Sequence, residues 1–231
     1  MKLVIGNKNY SSWSLRPWLL LKHAGIPFEE EKISFNDPDF KARVRRYSPV
    51  GRVPVLVDGD VVVWDSLAIA EYVAEKHPDA HLWPEDAAAR ARARSICAEM
   101  HSGFAAMRNQ MGMNCELSLS TVLFELDVQR DVARILQMWR ECRERYKSRG
   151  RFLFGEFTVA DAYYAPVVRR FVSYGTILPD YARRYVDTID ELPAMREWVA
   201  AGRAEHDFVE EDEPYRHPIA AASDVDEPTQ Q

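Results

Sequence analysis

Arg52-Val53-Pro54-Val55-Leu56-Val57-Asp58-Gly59-Asp60-Val61-Val62-Val63-Trp64-Asp65-Ser66-Leu67-Ala68-Ile69 decides the reading of this 231-residue chain. Residues 53–57 are a largely β-branched run, and Asp58-Gly59 is the dipeptide that a two-residue type I′ hairpin turn favours. Val61 to Trp64 supplies the return strand. Asp65-Ser66 then reads as a helix N-cap, with the apolar Leu67, Ile69, Ala70 and Val73 behind it. Pro54 lies inside the first strand, where it would remove a ladder hydrogen bond. It therefore implies an edge strand, a bulge or a cis bond. The local sequence favours the edge, since only about 5–6% of X-Pro bonds are cis.

Towards the N-terminus, residues 2–6 read as a buried strand and 7–10 as the loop leaving it. Ser11-Ser12-Trp13-Ser14 leads into a helix over 15–22, with Ser12 or Ser14 as its cap and Pro17 in its first turn. Gly25-Ile26-Pro27 ends it. A hydroxyl at a helix N-terminus can donate to an anion, with the helix field adding to the attraction. The same serines also read as caps and turn formers. A weak strand over 28–34 and a short helix over 37–47 follow, and Ser48-Pro49-Val50-Gly51 is turn chemistry. Strand, helix, strand, hairpin and helix in that order predict a thioredoxin-like domain closing near His77. The proline-containing stretch 78–84 then reads as a linker.

Beyond residue 85 no strand pattern survives. Ile96, Met100, Phe104, Met107 and Met111 predict one face of a single long helix. Val128, Val132, Ile135, Trp139, Cys142 and Tyr146 predict a second. Thr158 and Asp161 have capping-box spacing, and Leu192-Pro193 opens a last helix through Met195, Trp198 and Val199. His101 lies one position from the first stripe. No partner stands at metal-ligand spacing from it, so no metal is expected.

The chain carries 30 Lys and Arg against 36 Asp and Glu, a net charge of −6, which argues against a nucleic-acid partner. The basic runs over 41–46 and 90–94 are interrupted by apolar residues and read as solvated helix faces. No segment has the ~18 apolar residues that span a bilayer, and the N-terminus has no signal-peptide core. Cys97, Cys115 and Cys142 form neither a disulfide framework nor a zinc pattern. A reducing, cytoplasmic setting is expected, with no membrane partner.

Val-Pro-x-Leu, a hairpin, then Asp-Ser-x-Ala-Ile-x-x-Tyr resembles the glutathione-binding half of the cytosolic glutathione transferases. The resemblance implies a cis Pro54, a Val53 backbone paired with the cysteinyl part of glutathione, and Asp65 with Ser66 on the γ-glutamyl end. Arg52 is carried over as a contact to a glutathione carboxylate. Ser-Ser-x-Ser followed by an arginine is similar to the zeta-class pattern Ser-Ser-Cys-Ser-x-Arg. That similarity assigns thiol activation to Ser11, with Ser12 beside it as the other candidate. Trp13 replaces the cysteine of that pattern and Pro17 is foreign to it, and both count against zeta-type isomerase activity. A thiol of pKa about 8.5 needs roughly 2.7 kcal/mol of preference for its anion to titrate about two units lower. One hydrogen bond to a charged group supplies about 1.5–3 kcal/mol and the helix end about 0.3–1 more, so no general base is required.

The expected organisation is an α/β thioredoxin-like domain over 1–78, a linker over 79–87, an all-helical domain over 88–210 and a disordered tail over 211–231. The expected function is a serine-type glutathione transferase, with glutathione as co-substrate and a small electrophile against Trp13, His101, Phe104, Met107 and Arg108. A homodimer serving detoxification is the assembly and task the family implies. One alternative is a glutathione-dependent cis–trans isomerase of an unsaturated diacid, which needs cations such as Arg16 and Arg108. The other is a non-catalytic glutathione-binding protein. Thiol–disulfide chemistry is disfavoured, because all three cysteines fall in the helical half.

Overall fold

A computed structural model describes residues 1–120 and 122–216. Its first part is a four-stranded sheet built from β1 (Lys2–Ile5), β2 (Glu29–Lys32), β3 (Val55–Asp58) and β4 (Val61–Val63). The spatial order is β2-β1-β3-β4, with β1 parallel to β2 and antiparallel to β3. Side-chain alternation decides the two faces. Leu3, Ile5 and Leu56 join the main core, under α1 (Ser12–His23) and α3 (Ser66–Lys76). Val4 and Val55 point the other way, onto Ile33 and Val44, where α2 (Phe40–Arg45) covers them. Strand β2 is entirely charged, Glu29-Glu30-Glu31-Lys32, as suits an exposed edge. Its Glu31 accepts from Lys2 at 3.1 Å and from Tyr47 at 2.7 Å.

The hairpin forms one residue later than its sequence suggests. Asp58 pairs with Val61, so Gly59-Asp60 is the two-residue turn, and Gly59 takes the left-handed φ of +60°. Helix α1 begins earlier than expected: its N-cap is Ser11, not Ser12 or Ser14, which leaves Pro17 beyond the first turn. The Val53-Pro54 bond is cis, and β3 begins only at Val55, so the proline stands outside the ladder instead of on an edge strand.

After a 3-10 turn at Pro78–Ala80 the rest is helical: α4 (Ala87–Ser102), α5 (Ala105–Gln110), α6 (Leu126–Tyr146), α7 (Val159–Ser173), α8 (Asp180–Asp190) and α9 (Pro193–Arg203). The single long helix expected through Met111 is broken. Gly103 ends α4, and Phe104 turns the chain with a left-handed φ of +61°. A Cβ on Gly103 would lie 2.8 Å from the Glu99 carbonyl oxygen, so the turn needs glycine there. Helix α6 follows its predicted stripe, with Ile135 and Trp139 fully buried.

Helix α7 is buried nearly all round and packs on α1, α4 and α8. Its capping box forms as the spacing predicts: the Asp161 carboxylate accepts the Thr158 N–H at 2.9 Å and its hydroxyl at 3.1 Å. The same carboxylate accepts the Leu153 N–H and the Tyr185 hydroxyl, each at 3.0 Å. Burial nevertheless raises Asp161 to about 6, because four donors do not offset complete removal from water.

Residues 211–216, the start of the segment expected to be disordered, hold a defined place. A 3-10 turn at Glu210–Asp212 leads to Glu213, which is buried against Tyr10. The remainder of that expectation falls on 217–231, outside the described residues. No described helix is long and apolar enough to cross a membrane. Among the described residues no cluster of His, Cys, Asp or Glu could hold a metal ion.

Candidate active site

The site starts where β1 hands the chain to α1. Ser11 caps α1, its Oγ accepting the Ser14 N–H at 3.3 Å and donating to Ser14 Oγ at 2.7 Å. Ser14 Oγ also accepts the Gly6 N–H at 3.2 Å. All three serines of the cluster are buried. The loop ahead of them is held from behind by the far end of the chain. Glu205 accepts the N–H groups of Lys8 at 2.9 Å and Asn9 at 3.2 Å, and Asp207 accepts from Asn7 at 2.8 Å. Tyr10 donates its hydroxyl to Glu213 at 2.5 Å. On α9, Gly202 lets the Lys8–Asn9 backbone approach so closely that an added Cβ would lie 3.1 Å from it.

The opposite wall comes from the hairpin stretch. Asp65 caps α3, with Oδ1 accepting the Leu67 N–H at 2.8 Å, while Oδ2 lies 3.2 Å from His101 Nε2. Nδ1 of the same imidazole lies 2.9 Å from the Tyr163 hydroxyl, which is 2.8 Å from Ser66 Oγ. Asp65, His101, Tyr163 and Ser66 thus form a polar chain in which α4 and α7 complete the cap of α3. Burial raises the Tyr163 phenol to about 12, so it serves as a neutral hydrogen-bonding hub. Tyr163 carries no local sequence signal, being one of several aromatics on a buried helix.

Two cavities meet at this site. One, of about 330 Å³, is lined by Trp13, Val50, Arg52, Val53, Pro54, Trp64, Asp65, Ser66 and His101. The other, of about 280 Å³, is lined by Tyr10, Ser11, Ser12, Trp13, Phe35, Phe40, Arg52 and Val53. Trp13, Arg52 and Val53 belong to both and form the wall between them. Every residue expected to activate or bind glutathione therefore lines one cavity or the other.

The expected electrophile residues divide. Trp13 and His101 face the first cavity, with their rings edge-on at 5.2 Å. Phe104, Met107 and Arg108 line neither cavity. The break at Gly103 swings them away, so that Met107 is wholly buried and Phe104 nearly so. Arg108 stacks over Trp13 at 4.7 Å and donates to the carbonyls of Met100 and His101. Arg16 lies deeper, over the same ring at 4.4 Å, donating to the carbonyls of Ser12 and Tyr163. Burial lowers Arg16 to about 10.

One sequence inference needs correction. Cys115 does reach the serine loop: its Sγ lies 3.5 Å from the Lys8 carbonyl oxygen, and its N–H donates to Asn9 Oδ1 at 2.7 Å. Burial pushes the thiol up to about 12, which leaves it unreactive. Tyr10, the other acidic group beside Ser11, has its phenol raised by burial and by Glu213. Neither group is disposed to act as an acid or nucleophile at neutral pH.

A mixed thioredoxin-like sheet followed by an all-helical unit, with the first cavity between them, is the two-part architecture of the glutathione S-transferase fold. The family models for the glutathione S-transferase N-terminal and C-terminal domains match residues 10–76 and 125–201. The chain belongs to the glutathione S-transferase family. It is 35% identical over 98 residues to a Caenorhabditis elegans protein named "Probable maleylacetoacetate isomerase", covering 42% of this chain and 45% of that one. It is 47% identical over 60 residues to the dichloromethane dehalogenase of Methylorubrum extorquens, covering 25% of this chain and 21% of the relative. The chain thus spans less than half the length of these curated relatives. Among solved structures, a bacterial zeta-class maleyl pyruvate isomerase superposes with a TM-score of 0.68 at 24% identity, covering 89% of this chain and 99% of that one.

Proposed function

We propose that the protein is a glutathione transferase in which a serine hydroxyl activates the thiol for attack on a small electrophile. The observation that carries this reading is the adjacency of two cavities across Val53. One is lined by Asp65 and Ser66, and the other by Ser11 and Ser12. Glutathione laid across that wall has its γ-glutamyl end at Asp65 and Ser66 and its cysteinyl backbone along Val53. Its sulfur then lies toward Ser11 at the N-terminus of α1. Arg52, on both cavities, is available to a carboxylate of the peptide. Ser11 donates one hydrogen bond to the thiolate, the helix end adds its field, and the thiol proton leaves to solvent.

The diacid isomerase reading draws support from the names of relatives. It loses support from the two arginines it relied on: Arg16 and Arg108 are both turned onto backbone carbonyls, and among the described residues Arg52 is the one lysine or arginine lining the two cavities. Cytoplasmic location, a homodimer and a detoxifying role are proposed on the family alone.

The test is a calorimetric titration with glutathione at neutral pH, followed by ultraviolet difference absorption of the bound thiol. Binding with a thiolate band well below pH 8 is expected. Binding without the band moves the assignment to a non-catalytic binding protein, and no binding rejects the reading.

A further inference from the structure

We propose that a third cavity, in the helical half of the chain, binds a polyphosphate group, either free or carried by a nucleotide. It holds about 500 Å³ between the C-terminal end of α6 and α8, within the range of roughly 300–1,000 Å³ of small-molecule sites. It shares no lining residue with the two cavities at Ser11 and Asp65. Five cations converge on it. Arg140, Arg143 and Lys147 recur at helical spacing along one face of α6 and its end, Arg151 follows in the loop, and Arg184 comes from α8. Three carboxylates, Glu144, Asp187 and Glu191, line the same space, so the cavity is net positive in a chain of net charge −6.

Ordinary surface pairing does not account for these cations. Elsewhere on α6, Arg134 pairs with Glu99 at 2.7 Å and Glu141 with Arg92. Among the described residues, none of the five cations of the cavity forms an ion pair, despite the three carboxylates beside them. A helix C-terminus favours cations, which explains Arg143 and Lys147. It does not explain Arg140 further back, Arg151 beyond the helix or Arg184 within α8. Burial, and to a lesser degree the charge of Arg184, lower Arg143, so like charges already meet there. Two groups of the site are fixed by the fold: Arg143 donates to the Phe152 carbonyl, and Tyr185 on the cavity wall donates to Asp161 at 3.0 Å. Arginine forks match phosphate oxygens two at a time, and lysine adds a point charge. Several linked phosphates have the charge to face five cations, where a lone carboxylate or phosphate does not. A long nucleic acid would extend past the cations, and the net charge of −6 would repel it.

The test is calorimetric titration of the full chain with sodium tripolyphosphate, with ATP and with AMP, each with EDTA and each repeated in the presence of glutathione. Two cavity variants, Arg140→Gln/Arg184→Gln and Lys147→Gln/Arg151→Gln, are compared with Arg130→Gln/Arg196→Gln, which removes two exposed cations outside the cavity. Circular dichroism follows folding. Tripolyphosphate and ATP are expected to bind, and AMP to bind far more weakly. The cavity variants should lose roughly ten-fold or more in affinity for both polyphosphates, and the control less than about two-fold. Similar affinities for tripolyphosphate and ATP assign the site to a free polyphosphate chain, and tighter ATP assigns it to a nucleotide. The proposal is overturned by no tripolyphosphate binding to the wild type, by AMP binding as tightly as ATP, by undiminished binding in a folded cavity variant, by equal loss in the control, or by competition with glutathione. A chain that binds polyphosphate through these cations but does not bind glutathione keeps this site and loses the transferase reading.

Discussion

The hydroxyls of Ser11 and Ser14 lie 2.7 Å apart, with Ser14 Oγ also accepting the Gly6 N–H. Ser11 thus donates inward, to Ser14. Under the proposed serine mechanism, a thiolate at the helix mouth requires the pair to reverse, Ser14 donating to Ser11 and Ser11 to sulfur. Hydroxyl hydrogens rotate freely enough for that exchange. The reversed chain polarises Ser11 and strengthens its bond to the anion.

Ser11→Ala should lower turnover by one to two orders of magnitude, the loss of one charge-assisted hydrogen bond, with little change in glutathione affinity. Steady-state kinetics beside calorimetry checks this. Full turnover would reject Ser11 as the activator and turn attention to Ser12. Ser14→Ala should lower turnover by a smaller factor, about three- to ten-fold, since it removes only the supporting bond.

Tyr163→Phe removes the hydroxyl that joins Ser66 to His101 while keeping the ring. Glutathione should bind roughly five- to ten-fold more weakly, by the loss of about one hydrogen bond's worth of ordering, with kcat at saturation retained. A change in kcat with unchanged affinity would contradict a positioning role.

Thr158→Ala should cost about 1–2 kcal/mol through loss of the α7 cap. For a chain of this size the melting temperature should fall by roughly 2–8 °C. Differential scanning calorimetry reads it directly, and an unchanged transition would refute the capping role.

Asp161 gives a pH signature. Its folded-state value, raised to about 6, exceeds the ordinary 3.8, so the folded protein holds this proton more tightly than the unfolded chain. Its contribution is therefore favourable below about 4 and is lost as pH rises from 4 through 6. Urea unfolding of wild type and Asp161→Asn across pH 4–7 should show wild-type stability falling relative to the variant over that interval. Comparing the two cancels carboxylates that act in the opposite direction, such as Asp207, held low by its bond from Ser34. A flat difference would reject the raised value.

What the sequence revealed was mostly local. The Asp65 cap, the Thr158–Asp161 box and the stripe of α6 are each set by neighbours within a few residues, and each is found in place. Tertiary forces moved the finer features. Ser11 displaced Ser12 and Ser14 as the cap because the Asn7–Tyr10 loop is tied to Glu205 and Asp207. The break at Gly103-Phe104 overrode an unbroken apolar stripe, because three- and four-residue spacing does not register a left-handed turn. Tyr163 escaped notice as a site residue since its place depends on contacts across the chain, to Ser66 and His101.

The segment that holds the serine loop is made about 200 residues after it. Domains fold as units while the chain emerges, N-terminal first. While Glu205, Asp207 and Glu213 are still unsynthesised, residues 7–11 are without their anchors. Setting of the serine loop therefore waits until residues 205–213 have been made, and a chain terminated before them leaves residues 7–11 untethered.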